Sequence, residues 1–262
     1  MKTTVRTSRE GRVALIELNR PEVRNAVDES IRVGLLEAIR AVGLDPEVRA
    51  VILTGVGSAF SAGADLKAML ANPDESVRRI ARVITHEYQP IVEAVARLDQ
   101  PVIAAINGSA VGIGVSLALC CDLAVMSEDA SLMPSFTTLG LAPDGGASWF
   151  ITRRVGGLSA FELLAEGVPI PAPRCLELGL VSRVRRADLV LPEAMSWAQA
   201  LAMRAPMAIA ATKRLVRFAM SASLSETVSA EADMQTFLSK TEDAKEAVAA
   251  FAQKRAPGFR GT

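Results

Sequence analysis

Two glycine-rich loops are the first segments of this sequence whose residue types suggest chemistry. GVGSAFSAGADLK spans residues 55–67 and VGIGVSL spans residues 111–117, and each follows a short apolar run typical of a buried strand. The first loop lacks the Gly-Lys-Ser/Thr ending of a P-loop, and the second has Leu117 where GxGxxG needs its third glycine. The loops therefore match neither nucleotide-binding fingerprint.

The pair of loops fits a different kind of site. One peptide N–H from each loop, the second at the start of a helix, can converge on a single developing oxyanion, and the helix dipole adds to the field. Such a site serves a thioester or an ester without a side-chain nucleophile. His86 is the only histidine, so none is left for a Ser-His-Asp triad, and we expect it at the surface or in packing.

The elements that must position these loops alternate along the chain. A hairpin is predicted across Glu10-Gly11, and Asp28 is a plausible N-cap for the helix that follows. Buried strands are predicted over 48–55, 101–106 and 122–127, with a helical segment over 73–98 between the first two. Further along, helices are predicted in SWFITRRVG and AFELLAEG and a strand in GLVSRVR. This order indicates an α/β domain with crossover connections.

From about residue 188 the pattern is helical only. Helices are predicted over 188–204, 206–220, 225–240 and 242–255, with Ser225 and Thr241 as polar caps. We therefore divide the chain into a core, residues 1–190, and a C-terminal helical region, residues 191–262.

Composition excludes several classes of partner. The 262 residues include 29 Lys+Arg and 29 Asp+Glu, so there is no basic excess for a nucleic acid. Three cysteines, two of them adjacent, favour a reducing compartment, and no carboxylate/His cluster has metal-ligand spacing. We therefore expect no metal site. No signal-peptide core is evident near the first residues, so we expect a cytoplasmic protein.

The stretch from Gln100 to Cys121 has no charge and is long enough in principle to span a membrane. Proline, asparagine and glycine residues divide it into a β-branched run (PVIAAI), a turn (NGSAVG) and a helical run (IGVSLALCC). We therefore expect a buried strand, loop and helix, and no membrane partner.

Five segments in order support a family resemblance: LNRPEVRNAV (18–27), LTGVGSAFSAGADLK (53–67), PVIAAINGSAVGIGVSLALCCD (101–122), LGLAPDGG (139–146) and FAQKRAPGF (251–259). Over essentially its whole length the chain resembles the crotonase, or enoyl-CoA hydratase/isomerase, family. The resemblance implies a ClpP/crotonase-like α/β spiral of ββα units with a C-terminal trimerisation and lid region. It also implies an acyl-CoA substrate, no cofactor beyond the coenzyme A that belongs to it, and homotrimers that often pair into hexamers.

The resemblance also assigns residues to the site. It implies that the backbone N–H groups of Ala64 and Ile113 form the oxyanion hole and that Asp65 fixes the loop. Ala62 falls where the family binds the adenine amino group. Arg24 is interpreted equally well as a coenzyme A contact or as a solvated surface charge. The implied substrate or coenzyme A contacts are Arg24, Ala62, Asp65, Leu66, Lys67, Phe136, Phe251 and Lys254, of which the last two often reach a neighbouring subunit.

The sequence departs from the family at two positions. Hydratases of the family use two glutamates, and here Ser116 and Phe136 stand at the matching places. Neither side chain can act as a carboxylate base, so hydration by the two-glutamate mechanism is disfavoured. Ser116 is expected to pack within its helix or to hydrogen-bond the substrate.

Asp144 in LGLAPDGG is the remaining candidate acid/base. Pro-Asp-Gly is also an ordinary turn signal, but LMPSFTTLGLAPDGGASW resembles the branch of ring-1,2-epoxyphenylacetyl-CoA and Δ3,Δ2-enoyl-CoA isomerases, in which this aspartate moves the proton. Beside Phe136, Leu141 and Trp149 we expect desolvation to raise its pKa. A double-bond isomerase is the favoured function. A hydratase with an unusual base and a catalytically inactive thioester-binding protein are the alternatives.

Overall fold

The structure, a computed structural model, describes residues 3–67 and 79–262. Its strands are β1 (Val5–Glu10), β2 (Val13–Leu18), β3 (Ala50–Gly55), β4 (Val102–Ile106), β5 (Ala110–Val111), β6 (Leu123–Ser127), β7 (Ser131–Met133), β8 (Ile170–Pro171) and β9 (Arg183–Arg185). They form a sheet in the order β1-β2-β3-β4-β6-β9 and a smaller sheet in the order β5-β7-β8.

Helices connect and follow these strands. They are α1 (Glu29–Leu44), α2 (Gln89–Arg97), α3 (Ile113–Leu119), α4 (Ala147–Glu166), α5 (Ala172–Glu177), α6 (Val190–Ala202), α7 (Pro206–Ala219), α8 (Leu224–Leu238) and α9 (Glu242–Ala252). A π-helical turn, Ile84–Tyr88, leads directly into α2. Short 3-10 turns lie at Pro21–Val23, Thr137–Leu139 and Ala187–Leu189.

Parallel pairing brings the two glycine-rich loops together. β1 and β2 form the predicted antiparallel hairpin, whereas β2, β3, β4, β6 and β9 pair in parallel. The loops after β3 and β4 leave the same edge of the sheet because parallel strands end together. A parallel bridge between Ser61 and Ala110 then joins the two loops directly.

Both faces of the sheet are covered, as parallel sheets require. On one face, α1, α2 and α3 enclose the larger apolar core, which includes Leu53, Phe60 and Ile106. On the other face, α6 lays Val190, Ala194, Ala198 and Ala202 against alternate residues of β3, β4 and β6. The predicted α/β class and the apolar runs assigned to these strands are therefore confirmed.

Several predicted boundaries are confirmed and two are corrected. Asp28 caps α1 by accepting from the Ile31 N–H at 2.9 Å, and Thr241 caps α9. Ser225 is not a cap, because Ser223 forms the capping box of α8 with Glu226. The strand predicted in GLVSRVR is limited to Arg183–Arg185.

Other predictions concern helix breaks and the uncharged stretch. The two helices predicted in SWFITRRVG and AFELLAEG correspond to α4, which breaks at Gly156, where φ is 77° and ψ is 167°. Residues 73–78 of the helix predicted over 73–98 lie outside the described residues. The uncharged stretch forms β4, β5 and α3, and within residues 3–67 and 79–262 no helix meets the length and hydropathy needed to cross a membrane.

The C-terminal helices join the core through a buried ion cluster. Lys213 of α7 lies 2.7 Å from the Asp122 carboxylate and donates to the carbonyls of Val95 and Gln100 at 3.0 Å each. Arg217 reaches the same carboxylate at 2.9 Å. These bonds fix α7 against the sheet, while the division of the chain at residue 190 stays a prediction.

Candidate active site

A cavity of about 580 Å³ opens at the sheet edge where the glycine-rich loops meet. Ala64, Ile113 and Asp144, the three residues predicted to be catalytic, all line it. The rest of the wall is mostly apolar and comes from α1, the π-helical turn and the segment 135–143. The fold therefore gathers on one cavity three residues that lie far apart in the sequence.

The Ala64 N–H is left unused by its loop. Val27 donates its N–H to the Gly63 carbonyl at 2.7 Å and accepts from the Asp65 N–H at 3.2 Å. In this parallel bridge the residue between, Ala64, directs its own N–H to the opposite side. The other amides of 61–65 all donate within the protein, and no protein acceptor for the Ala64 N–H exists in the described part of the chain.

The Ile113 N–H is the second unused donor. Gly112, with φ at 52°, donates to the Met133 carbonyl at 2.9 Å, and the Val115 N–H turns back to the Gly112 carbonyl at 2.9 Å. Between them, Ile113 begins α3, and its N–H meets no backbone acceptor among the residues whose positions are described, as is usual in a first helical turn. Two free amides thus border one cavity.

Glycine is required where these loops pass other backbone closely. At Gly63, with φ at 85°, a Cβ would lie 2.7 Å from the Val111 carbonyl oxygen. At Gly145, with φ at 56°, a Cβ would lie 2.1 Å from the Cδ1 of Ile113. The Val111 carbonyl is backbone and cannot move aside, so the approach of the two loops depends on Gly63. Gly145 meets the end of a side chain, and its positive φ is the reason that glycine is favoured there.

Buried polar side chains hold the first loop. Asn25 is fully buried, and its side-chain amide donates to the backbone carbonyls of Val56 (3.0 Å) and Ala59 (2.9 Å). Its side-chain Oδ1 accepts from the backbone N–H of Arg20 (2.9 Å). It adopts the left-handed conformation, with φ at 56°, which asparagine tolerates better than most residues. Sequence reasoning missed Asn25 as a site residue, although its place in the RNAV segment was a usable signal.

Asp65 is bonded as a loop-fixing residue would be. Its carboxylate accepts from the Arg20 guanidinium at 3.1 Å, and the same guanidinium nitrogen lies 3.1 Å from Asp28 and donates to the Ala26 carbonyl. Arg20 thereby connects the loop of Ala64 to the start of α1. Two of the carboxylates on the cavity wall are therefore paired with the same guanidinium.

Asp144 differs from those carboxylates. Its carboxyl receives no hydrogen bond from the residues in 3–67 and 79–262, and its buried Oδ1 has no partner at all there. Burial raises the pKa of the Asp144 carboxyl from 3.8 to about 6, which confirms the expected direction. Phe136 and Leu141 line the cavity with it. The expected contribution of Trp149 is wrong, because Trp149 does not line the cavity and instead packs edge-on against Phe150 with Arg153 over its ring.

The backbone of Asp144 is anchored although its carboxyl is free. The Ser116 hydroxyl donates to the Asp144 carbonyl at 3.0 Å, and the Ala147 N–H donates to the same oxygen at 3.0 Å. Ser116 is fully buried in α3 and therefore faces the Asp144 loop, not the cavity. The two bonds fix the backbone from which the Asp144 side chain extends, on the cavity that the Ala64 and Ile113 amides also border.

Comparison with known proteins decides the family. The chain matches the family described as enoyl-CoA hydratase/isomerase over residues 8–262. This chain belongs to that family. It is similar to the 2,3-dehydroadipyl-CoA hydratase of Escherichia coli (34% identity, 97% of each chain) and to the 1,2-epoxyphenylacetyl-CoA isomerase of the same species (31% identity, 95% of each chain). An enoyl-CoA hydratase structure from a Polaromonas species superposes with a TM-score of 0.93 at 37% identity, covering 97% of this chain and 99% of that one.

As a member of the enoyl-CoA hydratase/isomerase family, the chain has the predicted crotonase fold and an acyl-CoA enzyme's cavity. The sequence predicts that Ser116 and Phe136 stand at the positions of the two hydratase glutamates. In the structure Ser116 is buried and bonded to the Asp144 loop, and Phe136 is a buried apolar wall residue. Neither Ser116 nor Phe136 therefore places a carboxylate in the cavity.

The predicted coenzyme A contacts fall in two groups. Ala62 and Leu66 line the cavity, and the Ala62 N–H is taken by the Arg24 carbonyl at 2.8 Å, which leaves the Ala62 carbonyl for an amino donor. Arg24, with φ at 52°, and Lys67 are exposed and lie outside the cavity wall. Phe251 and Lys254 are also exposed, at the end of α9, and do not reach this chain's own cavity.

Proposed function

We propose that this enzyme shifts a carbon–carbon double bond in an enoyl-CoA, with Asp144 moving the proton and the N–H groups of Ala64 and Ile113 holding the thioester oxygen. The observation that supports this most is the Asp144 carboxyl, which is unpaired and lines the cavity shared by both amides. Its pKa of about 6 makes it largely ionised at pH 7 yet basic enough to accept a proton.

The reaction needs only one carboxylate. Asp144 takes a proton from C2 of a 3-enoyl thioester, and the electron pair of that C–H bond moves into a dienolate whose oxygen accepts from the two amides. The protonated Asp144 then returns the same proton to C4, the double bond forms between C2 and C3, and the carboxylate is regenerated. Atoms and charge balance without water or a second acid.

Addition of water to a 2-enoyl thioester needs two catalytic groups. One group must activate the water and another must deliver a proton to C2, which two family glutamates do together. Here the other wall aspartates, Asp28 and Asp65, are both paired with Arg20. A hydratase is the second candidate, because similar proteins named as hydratases stand beside one named as an isomerase.

Two substrates distinguish the candidates. We expect the enzyme to convert 3-enoyl-CoA into the conjugated 2-enoyl thioester, which is seen as a rise in absorbance near 260–280 nm. With 2-enoyl-CoA as the substrate, we expect no fall in that absorbance from the addition of water. The variant Asp144→Asn should lower this turnover by roughly 10²–10⁴-fold while a saturated acyl-CoA still binds. Turnover unchanged by Asp144→Asn, or net hydration of 2-enoyl-CoA, would contradict the proposal.

We also propose that the enzyme assembles as a homotrimer or a pair of trimers through its C-terminal helices. In a single chain α8 has no buried residue, and Leu224, Val228 and Phe237 are exposed along it. Phe251 on α9 is 87% exposed, which suits a contact made in a neighbouring subunit. Light scattering should give a mass of three or six chains of 27.7 kDa. A monomer would contradict this assembly.

A further inference from the structure

Arg20 joins the segments on both sides of the Ala64 amide. It follows β2, and its side chain is only 18% exposed. One guanidinium nitrogen, Nη1, donates to the Ala26 carbonyl at 2.8 Å and lies 3.1 Å from the carboxylates of both Asp65 and Asp28. Three acceptors therefore meet at a single donor atom.

The loop that carries Ala64 takes its shape from a neighbouring turn. Residues 61–65, the oxyanion loop, bond to the second half of residues 20–27, the template turn. These bonds are the Ala62 N–H to the Arg24 carbonyl (2.8 Å), the Ser61 hydroxyl to the Asn25 carbonyl (2.9 Å), the Val27 N–H to the Gly63 carbonyl (2.7 Å) and the Asp65 N–H to the Val27 carbonyl (3.2 Å). The direction of the Ala64 N–H thus follows from where the template turn lies.

The template turn is strained and needs support. Arg24 and Asn25 are consecutive residues in the left-handed region, with φ at 52° and 56°. Such backbone keeps its shape only where surrounding bonds over-determine it. The Arg20 backbone supplies two of these bonds, since its carbonyl accepts from the Asn25 N–H at 2.9 Å and its N–H donates to the Asn25 side chain at 2.9 Å. The Arg20 side chain then closes the turn at Ala26.

The contacts of Arg20 flank the bridge that orients the amide. Val27 and Ala64 form a parallel bridge, Ala26 precedes the first of them, and Asp65 follows the second. N–H directions alternate along such a bridge, so a slip of one residue would turn the Ala64 N–H away from the cavity. Arg20 does not line the cavity itself, so any effect it has on the reaction acts through these neighbours.

We propose that Arg20 is a positioning residue of the oxyanion hole, which holds the Ala64 N–H at the thioester oxygen through its bonds to Ala26 and Asp65. This inference rests on the proposed function, which supplies the oxyanion. The competing interpretation is that Arg20 only balances the charges of Asp28 and Asp65.

The variant Arg20→Met tests the proposal, because it removes all three contacts and keeps an unbranched side chain. We expect kcat for 3-enoyl-CoA to fall by about tenfold to hundredfold, less than the loss of a whole oxyanion donor would cost. The Kd of a saturated acyl-CoA, measured by calorimetry, should change by less than about threefold, because the contacts along coenzyme A and the acyl chain are kept.

Infrared spectroscopy reads the position of the amide directly. Hydrogen bonds from two amides polarise the thioester carbonyl and lower its stretching frequency. A saturated acyl-CoA with ¹³C at the thioester carbon should therefore show a lower frequency when it binds the wild-type enzyme, and Arg20→Met should lose part of this shift. Arg20→Lys, whose nitrogen falls one bond short of Nη1, should show a smaller loss of both the shift and kcat.

Two controls separate positioning from stability and from charge. Arg183→Met removes an arginine that pairs with Glu193 at 2.6 Å and lies 3.5 Å over the Trp197 ring, outside the cavity. It should lower stability to urea but leave kcat and the carbonyl frequency unchanged. The double variant Arg20→Met/Asp65→Asn restores the net charge, and it should stay at least as slow as Arg20→Met.

A carbonyl frequency unchanged in Arg20→Met would overturn the inference, whatever happens to kcat. The same losses in Arg183→Met, or the return of wild-type kcat in the double variant, would overturn it too. If Arg20→Met does not fold, Arg20→Lys decides in the same way, with Arg183→Lys as its control. In all these cases the wild-type enzyme still shifts the carbonyl band. If no acyl-CoA binds, or if binding to the wild-type enzyme does not lower the frequency, the proposed function fails as well.

Discussion

Replacing Asp144 with asparagine should stabilise the protein while it removes the activity. The ordinary pKa of 3.8 rises to about 6 in the folded protein because the carboxyl is buried. Between these values the folded state keeps a proton that the unfolded state has released, so stability falls as pH rises from about 4 through 6. Each pKa unit is worth about 1.4 kcal/mol, and the ionised carboxylate therefore destabilises the fold by about 3 kcal/mol above pH 7.

The size of the effect depends on the pH at which it is measured. About 1 kcal/mol of the cost is already present at pH 4.5, where half or more of the unfolded carboxyl groups are ionised. In Asp144→Asn the side chain stays neutral at every pH. The stability advantage of the variant should therefore grow by about 2 kcal/mol between pH 4.5 and pH 7.5.

Urea unfolding at matched protein concentration measures this difference. Asp233→Asn, at an exposed position on α8, is the control for removing a carboxylate without burial. An advantage of Asp144→Asn that stays constant from pH 4.5 to 7.5 would refute the reasoning, because it would mean that Asp144 is not desolvated.

The other predictions concern the pH profile and the bonds around the site. Since Asp144 must be ionised to act as base, kcat/KM for 3-enoyl-CoA should rise with pH to half its maximum near pH 6, the pKa of its carboxyl, and a profile flat from pH 5 to 8 would contradict this. Gly145→Ala should cost about 1–3 kcal/mol in urea unfolding and most of the activity, because alanine is strained at a φ of 56° and its methyl group would displace Ile113 next to Asp144. Ser116→Ala should cost about 1 kcal/mol and lower kcat more than it changes KM; an unchanged kcat would show that this bond does not position Asp144. Asn25→Ala should cost about 3 kcal/mol, because the carbonyls of Val56 and Ala59 and the Arg20 N–H each lose a hydrogen bond, and should speed hydrogen exchange in 56–64.

Much of the fold could be predicted because local patterns and global packing agree. The β-branched runs of β3 and β4 are continuous, as expected for strands buried on both faces, and glycine marks the loops that follow β3 and β4. Asp28 and Thr241 precede helical repeats and do cap them. Ser225 looks equally suitable in sequence, but Ser223 lies three residues before Glu226 and makes the reciprocal bonds.

The site was only partly predictable, since some of its contacts join residues far apart in the chain. The loops and Asp144 lie in recognisable motifs, whereas the pairing of Arg32 with Glu87 links α1 to the π-helical turn across 55 positions. No spacing rule places Tyr88 on the cavity wall. Trp149 shows the opposite error, because it follows Asp144 closely in sequence, yet the start of α4 turns it away from the cavity.

Ser116 and the placement of Asp144 are structurally linked. Ser116 is fully buried, and a Cβ on Gly145 would lie 3.2 Å from both its Cβ and its hydroxyl. The short serine therefore lets the Pro-Asp-Gly-Gly loop pack onto α3, and its hydroxyl bonds the Asp144 carbonyl at 3.0 Å. The same serine thus packs against Gly145 and anchors the backbone of Asp144, so a change at position 116 is expected to act on the aspartate that the proposed single-carboxylate chemistry uses.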